Sequence, residues 1–289
     1  MTGLVLSGGG LWAAAQIGVL RALEEMGIEA DFVVGTSAGA VVGALYACGL
    51  GPDTMGELAC QIDTHWFRVP WPKLLWNILR TRRLPTHVMA VDQFSSLVEP
   101  WLRNRSFDSA VRPVLITATD LVHRQVVAWG PPSIRFDEAL GARTDTILVA
   151  QEVDLWTAVR ASTAFPGLFA PVRLADRILV DGGVGDDFPV DVAILAGADR
   201  VIGVWIDEPL TWHPPHHDIH AASLLYQSLA VMIRQLSTVR PAVVPARPQV
   251  TIRIPMDAGR RAVREIPRLI DTGYRCAIER RTALQALVA

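Results

Sequence analysis

Lysine is all but missing from this 289-residue chain: Lys73 is the single one among 27 basic residues, and arginine supplies the rest. Against 29 acidic residues the net charge is −2, which removes any global electrostatic reason to expect nucleic acid. Cysteine is scarce too. Cys48, Cys60 and Cys276 are odd in number and lack metal-ligand spacing, which implies no disulfide framework and suits reduced thiols in a cytoplasmic compartment. The first 20 residues carry no charge, but they also lack a basic n-region, and Gly8, Gly9 and Gly10 break the apolar segment early. The start therefore reads as a strand and not as a signal peptide. Charge is absent again over the 21 residues from Phe32 to Pro52, about a membrane span, and Gly39 and Gly43 make the helix-packing spacing G-x-x-x-G. Five glycines and a Gly-Thr-Ser turn argue against one continuous helix there, and a buried strand followed by a buried helix fits better.

What is present is a large apolar content. At 51% hydrophobic residues the chain has enough for one large α/β domain or two small ones, and the absence of repeats, low-complexity tracts and linkers favours one domain over residues 1–289. Strands are expected at Leu4–Leu6, Asp31–Val34, Val114–Ala118, Val126–Trp129, Ile178–Val180 and Val201–Ile206. Helices are expected at Leu11–Met26, closed by Gly27, and at Ala38–Ala47, Leu155–Ser162 and Val190–Ala196. This alternation indicates a mostly parallel sheet with helices on both faces.

Three motifs fall at the carboxyl edge of that sheet, where α/β folds gather their chemistry. Gly8-Gly9-Gly10 follows the first strand, Ser37 sits between Gly35 and Gly39 in Gly-Thr-Ser-Ala-Gly after the second, and Asp181 with Gly182 and Gly183 follows the strand at Ile178. A G-x-S-x-G turn pushes its hydroxyl out of the fold as a nucleophile elbow. Glycine amides opening a helix stabilise an oxyanion, a serine attacks an acyl carbon, and a carboxylate takes the serine proton. Together they spell acyl transfer.

The stretches LSGGGLWAAAQIGVLRALEEMGI, GTSAG, ATDL, VRASTAFPGLFAPV and LVDGGVGDDFPVDVA stand in an order and spacing that resemble the patatin-like phospholipases, over most of residues 3 to 206. A weaker echo near Ile266–Glu279 is similar to the family's closing helix. The resemblance implies a three-layer α/β/α fold, lipid acyl hydrolysis, and a Ser-Asp dyad in place of a triad. It matches Ser37 to the nucleophile, Asp181 to the base, and Gly8, Gly9 and Gly10 to the oxyanion hole, with no cofactor or metal required. Two pairs of residues depart from the pattern. Trp12 and Ala13 stand where the family has a basic residue and a glycine, and Asp186 and Asp187 stand where asparagine is common. If those aspartates lie near Asp181, like-charge repulsion is expected to raise its proton affinity.

Rival readings exist for several residues. His213, His216, His217 and His220 permit a Ser, Asp, His order, but only two strands precede Ser37, which favours the dyad. The same histidines have enough ligands for zinc, yet their two flanking prolines suggest a solvated loop. Asp120 either positions the site or caps a turn. A cap or insertion is expected at about residues 63–105. Within it, residues 64–87 hold Trp66, Trp71, Trp76, Arg80, Arg82 and Arg83 and no acidic residue, a composition suited to peripheral contact with a lipid interface or to a helical cap whose tryptophans pack inward. The reading is of a serine acyl hydrolase of lipid esters. The alternative is a catalytically impaired lipid-binding or regulatory module of the same fold.

Overall fold

The computed structural model describes residues 1–63, 80, 86–87, 92–149, 152–207, 221–256 and 262–289. Among these residues nine strands form one sheet: β1 (Thr2–Leu6), β2 (Phe32–Thr36), β3 (Val114–Asp120), β4 (Gln125–Trp129), β5 (Thr146–Leu148), β6 (Val172–Leu174), β7 (Arg177–Val180), β8 (Arg200–Asp207) and β9 (Gln249–Pro255). Their order is β5-β4-β3-β2-β1-β8-β9, with β7 joining β3 and pairing with β6. Strands β3, β2, β1, β8 and β9 run parallel, while β4 and β7 lie antiparallel to β3. The central strands are buried from end to end, as a sheet covered on both faces requires.

Alternation along each strand builds two cores. Leu4, Leu6, Val33 and Ile116 belong to one apolar cluster, and Val5, Phe32, Val34 and Leu115 to the other. Helices α1 (Ala14–Glu25), α2 (Ala38–Ala47) and α3 (Pro52–Cys60) cover the first face together with α4 (Asp92–Leu102). After the short α5 (Glu138–Gly141), α6 (Leu155–Ser162) joins that layer, whereas α7 (Gly183–Asp186) follows β7 and α8 (Val190–Leu195) lies in the second cluster. Helix α9 (Ala221–Val239) precedes β9, and α10 (Ile266–Glu279) and α11 (Arg281–Val288) end the chain. This is the three-layer α/β/α arrangement with a mostly parallel sheet.

The closing helix α10 crosses α1 so closely that a Cβ on Gly18 would stand 1.8 Å from the Ile270 carbonyl oxygen, and one on Gly273 equally near that of Ala15. The apolar run Phe32–Pro52 is divided among β2, α2 and the start of α3, all packed against the core. No helix among the described residues is long and apolar enough to cross a membrane.

Several boundaries differ from the sequence reading. The helix expected from Leu11 begins as a 3-10 turn at Gly10–Ala13 and becomes α-helical only at Ala14, since Gly9 and Gly10 hold left-handed backbone. Strand β3 runs on to Asp120 because the β4 and β7 partners extend its ladder. Strands β5, β6 and β9 and helices α3, α4, α5, α7, α9 and α11 are additional to those expected, although Pro52 in the first turn of α3 is a start signal. Of the expected cap, Trp66, Trp71, Trp76, Arg82 and Arg83 lie outside the described residues, as do His213, His216, His217 and His220.

Candidate active site

The turn from β2 into α2 is held in strained geometry. Ser37 has φ 53° and ψ −124°, a left-handed conformation uncommon for a residue with a side chain. Its neighbours explain why only glycine flanks it. A Cβ on Gly39 would lie 2.4 Å from the carbonyl oxygens of Leu6 and Ser7, and one on Gly35 would lie 2.6 Å from the Gly39 oxygen. The helix thereby sits against the end of β1, which brings the loop after β1 beside Ser37. The Ser37 amide donates to the Ser162 hydroxyl at 2.8 Å.

Asp181 reaches the same point from β7. Ser37 Oγ donates to Asp181 Oδ2 at 2.7 Å, directly, across 144 residues of sequence. The other carboxylate oxygen accepts the Gly183 amide at 2.8 Å. Backbone around Asp181 is fixed on two sides: its amide donates to the Ala164 carbonyl, and the Thr119 hydroxyl donates to its carbonyl at 2.9 Å. Burial pushes the Asp181 carboxyl up to about 7, with the Ser37 hydroxyl and the Gly183 amide opposing the rise.

The repulsion expected from Asp186 and Asp187 is therefore not what raises Asp181. Asp186 is fully buried and points away, into a cluster where Arg240 Nε lies 3.3 Å from its Oδ2 and Arg240 Nη2 donates to Asp191 at 2.8 Å. Burial and the neighbouring Asp191 hold the Asp186 carboxyl well above the ordinary range despite Arg240. The Thr36 hydroxyl donates to the Asp186 carbonyl, so the turn after the base region also braces the residue before Ser37.

Gly8, Gly9 and Gly10 lie where β1 ends. The Gly8 amide donates to the Asp187 carbonyl at 3.0 Å, so it is spent on holding the loop. Gly9 has φ 137°, and a Cβ there would press on the Ile206 side chain at 2.9 Å. Gly9 and Gly10 border a cavity of about 1300 Å³ that Ser37 and Asp181 also line. Its walls are mostly apolar, including Val41, Leu45, Met55, Leu97, Val98 and Phe169. Trp12 lines it too, and Ala13 is buried beside it.

Sequence reasoning missed three supporting residues: Ser162, Thr119 and Gln16, whose amide donates to the Ser7 carbonyl at 2.7 Å. Ser162 stands inside the VRASTAFPGLFAPV block, which was its only signal. Asp120 proves to cap its turn, accepting the amides of Val122 and His123 and pairing with Arg177. Among the described residues no cluster of three His, Cys, Asp or Glu side chains is arranged to hold a metal ion.

Comparison with known proteins shows the family. The patatin-like phospholipase family model matches residues 4–194. Patatin-like phospholipase domain-containing protein 7 of Rattus norvegicus is 30% identical over 205 residues, covering 70% of this chain and 13% of that protein. An uncharacterized NTE family protein of Mycobacterium tuberculosis is 27% identical over 201 residues, covering 70% of this chain and 48% of its own length. The chain thus spans less than half of either relative. Among solved structures, VipD from Legionella pneumophila superposes with a TM-score of 0.54 at 15% identity, over 98% of this chain and 67% of VipD, a likeness of fold.

Proposed function

Because the chain belongs to the patatin-like phospholipase family, we propose that it is a carboxylic ester hydrolase of lipids, working through a Ser37-Asp181 dyad and an acyl-enzyme. Ser37 Oγ attacks the ester carbonyl carbon while its proton passes to Asp181. The carbonyl oxygen becomes an oxyanion facing the amides of Gly9 and Gly10, with Gly8 anchoring their loop through Asp187. Collapse of this intermediate breaks the ester C–O bond, and Asp181 returns its proton to the departing alcohol. Water then attacks the acyl-serine, giving one proton to Asp181 as the new bond forms, and the fatty acid leaves as Ser37 recovers its hydrogen.

The observation that carries this reading is the 2.7 Å Ser37–Asp181 hydrogen bond in a large apolar cavity. A volume of about 1300 Å³ exceeds the roughly 300–1,000 Å³ of common small-molecule pockets and has room for an acyl chain. A base held near 7 is matched to proton transfer at neutral pH. The Trp and Arg segment, residues 64–87, remains a proposed peripheral membrane contact on its composition. A fluorophosphonate probe tests the assignment, because it labels only an activated serine. Labelling of the parent that is lost in Ser37→Ala supports the hydrolase; an unlabelled parent favours the catalytically impaired lipid-binding module.

A further inference from the structure

Helix α9, residues Ala221–Val239, is built the wrong way round for a helix on a soluble protein. Leu225, Leu229, Met232, Leu236 and Val239 recur at spacings of 4, 3, 4 and 3, so they share one face. Most of that face looks into water: Leu225 is 72% exposed, Met232 and Val239 60% each, and Leu236 38%, with Leu229 half-buried among them. On the opposite side Gln227, Ala230, Arg234, Ser237 and Thr238 line the cavity that holds Ser37, with Tyr226 and Ile233 at the edge of that face. An ordinary surface helix buries its apolar stripe and hydrates the other face. Here the more polar face turns inward to the cavity and the leucines turn out.

Two occupants suit such a stripe, and the sequence around it separates them. A second copy of the helix would need a longer seam, since coiled coils are sustained over three to four heptads and this one runs about two. The positions flanking the seam, Tyr226 and Ile233 on one side and Ser228 and Gln235 on the other, offer no charges to pair across a dimer. One helix edge about 21 Å long also presents much less than the roughly 800 Å² per partner of a stable protein interface. A lipid surface needs none of these features. It accepts a single helix lying in the interfacial plane with its apolar face sunk among the acyl chains. No acidic residue occurs from Ala221 to Met256; Arg234 is paired with Asp207 and Arg240 with the buried Asp186 and Asp191, so the helix itself brings no negative charge against anionic headgroups.

Resting on the hydrolase reading above, we propose that the outward face of α9 docks on a lipid bilayer and sets the cavity mouth against it. Tyr226 and Val231, next to Leu225 and Met232, line the cavity and are 45% and 56% exposed, so seating the stripe brings that edge of the cavity to the membrane. A lipid ester then passes from the bilayer to Ser37 along apolar wall without crossing water.

The experiment is sedimentation with vesicles of ether-linked phosphatidylcholine and phosphatidylglycerol, which cannot be hydrolysed, for the parent, Ser37→Ala and the double variant Leu225→Gln/Met232→Gln. Neither substituted residue of the double variant lines the cavity, and both are exposed, so the fold and turnover of a water-soluble ester should match the parent. The expected result is vesicle binding by the parent and by Ser37→Ala, weakened at least tenfold in the double variant, with hydrolysis of ester-linked vesicles falling in parallel. Equal binding by parent and double variant overturns the docking, as does a parent that fails to bind. A parent that sediments as a dimer in lipid-free ultracentrifugation, and becomes monomeric in the double variant, assigns the face to a second copy instead. Vesicle binding that responds as expected in a protein inert toward soluble ester removes the hydrolase reading and leaves the docking face standing.

Discussion

Asp181→Asn is expected to destroy activity and raise stability at once, and the two effects share one cause. The carboxyl is 3% exposed and its burial lifts it from an ordinary 3.8 to about 7. At about 1.4 kcal/mol per pH unit, that gap is about 4 kcal/mol. Because the folded value lies above the unfolded one, the native state keeps a proton that the unfolded chain has lost between pH 4 and 7. Stability therefore falls as pH rises through that window, and the full cost of the buried charge is present above pH 7. Asparagine has the same shape, still accepts the Gly183 amide, and carries no charge at any pH. In urea titrations the variant should be more stable than the parent by up to about 4 kcal/mol at pH 8.5, with the difference shrinking to nothing near pH 4. It should also hydrolyse a short-chain ester about 10²–10⁴-fold more slowly, since the proton acceptor is gone. The parent's kcat/KM should rise with pH to a plateau with its midpoint near 7, because only the ionised carboxylate accepts the Ser37 proton. A variant less stable than the parent at pH 8.5, or a parent whose activity is flat from pH 5.5 to 8.5, would refute the reasoning.

Two glycines in one helix should respond differently to alanine. Gly39→Ala forces a Cβ to 2.4 Å from two carbonyl oxygens and should cost about 3 kcal/mol or more, whereas Gly43→Ala meets side-chain methyls of Val33 at 3.1 Å and Leu6 at 3.5 Å and gains helix propensity; equal melting temperatures would contradict the close-packed turn. In the buried cluster, Asp186→Asn should cost less than Arg240→Ala, because burial and Asp191 favour the neutral form of Asp186, whereas loss of Arg240 leaves Asp191 buried without its partner at a cost of about 3–5 kcal/mol. The reverse order in urea denaturation would contradict this account of the cluster.

The short-range signals in the chain were sufficient for part of the result. Three glycines after an apolar triplet, a serine between two glycines, and Asp-Gly-Gly after another strand each encode a tight backbone turn: a Cβ on Gly35, Gly39 or Gly182 would strike neighbouring backbone, and one on Gly8 or Gly9 the side chains of Asp187 or Ile206. That is local chemistry, and it located β1, β2, α2, β7 and the residues that meet in the cavity. Periodicity gave α6 and α8 nearly to their ends for the same reason. The sequence could not say what each carboxylate would face. Asp181 and Asp186 are five residues apart and read alike, yet one meets Ser37 and the other Arg240, because α7 turns between them and Arg240 arrives from the end of α9. Nor could it show that Gly8 spends its amide on Asp187 while Gly9 and Gly10 border the cavity. The 4-3-4-3 stripe of α9 is visible as a pattern, but a pattern of that kind ordinarily marks a buried face. Only the packing of α9, with its other side against the cavity, turned those leucines toward water.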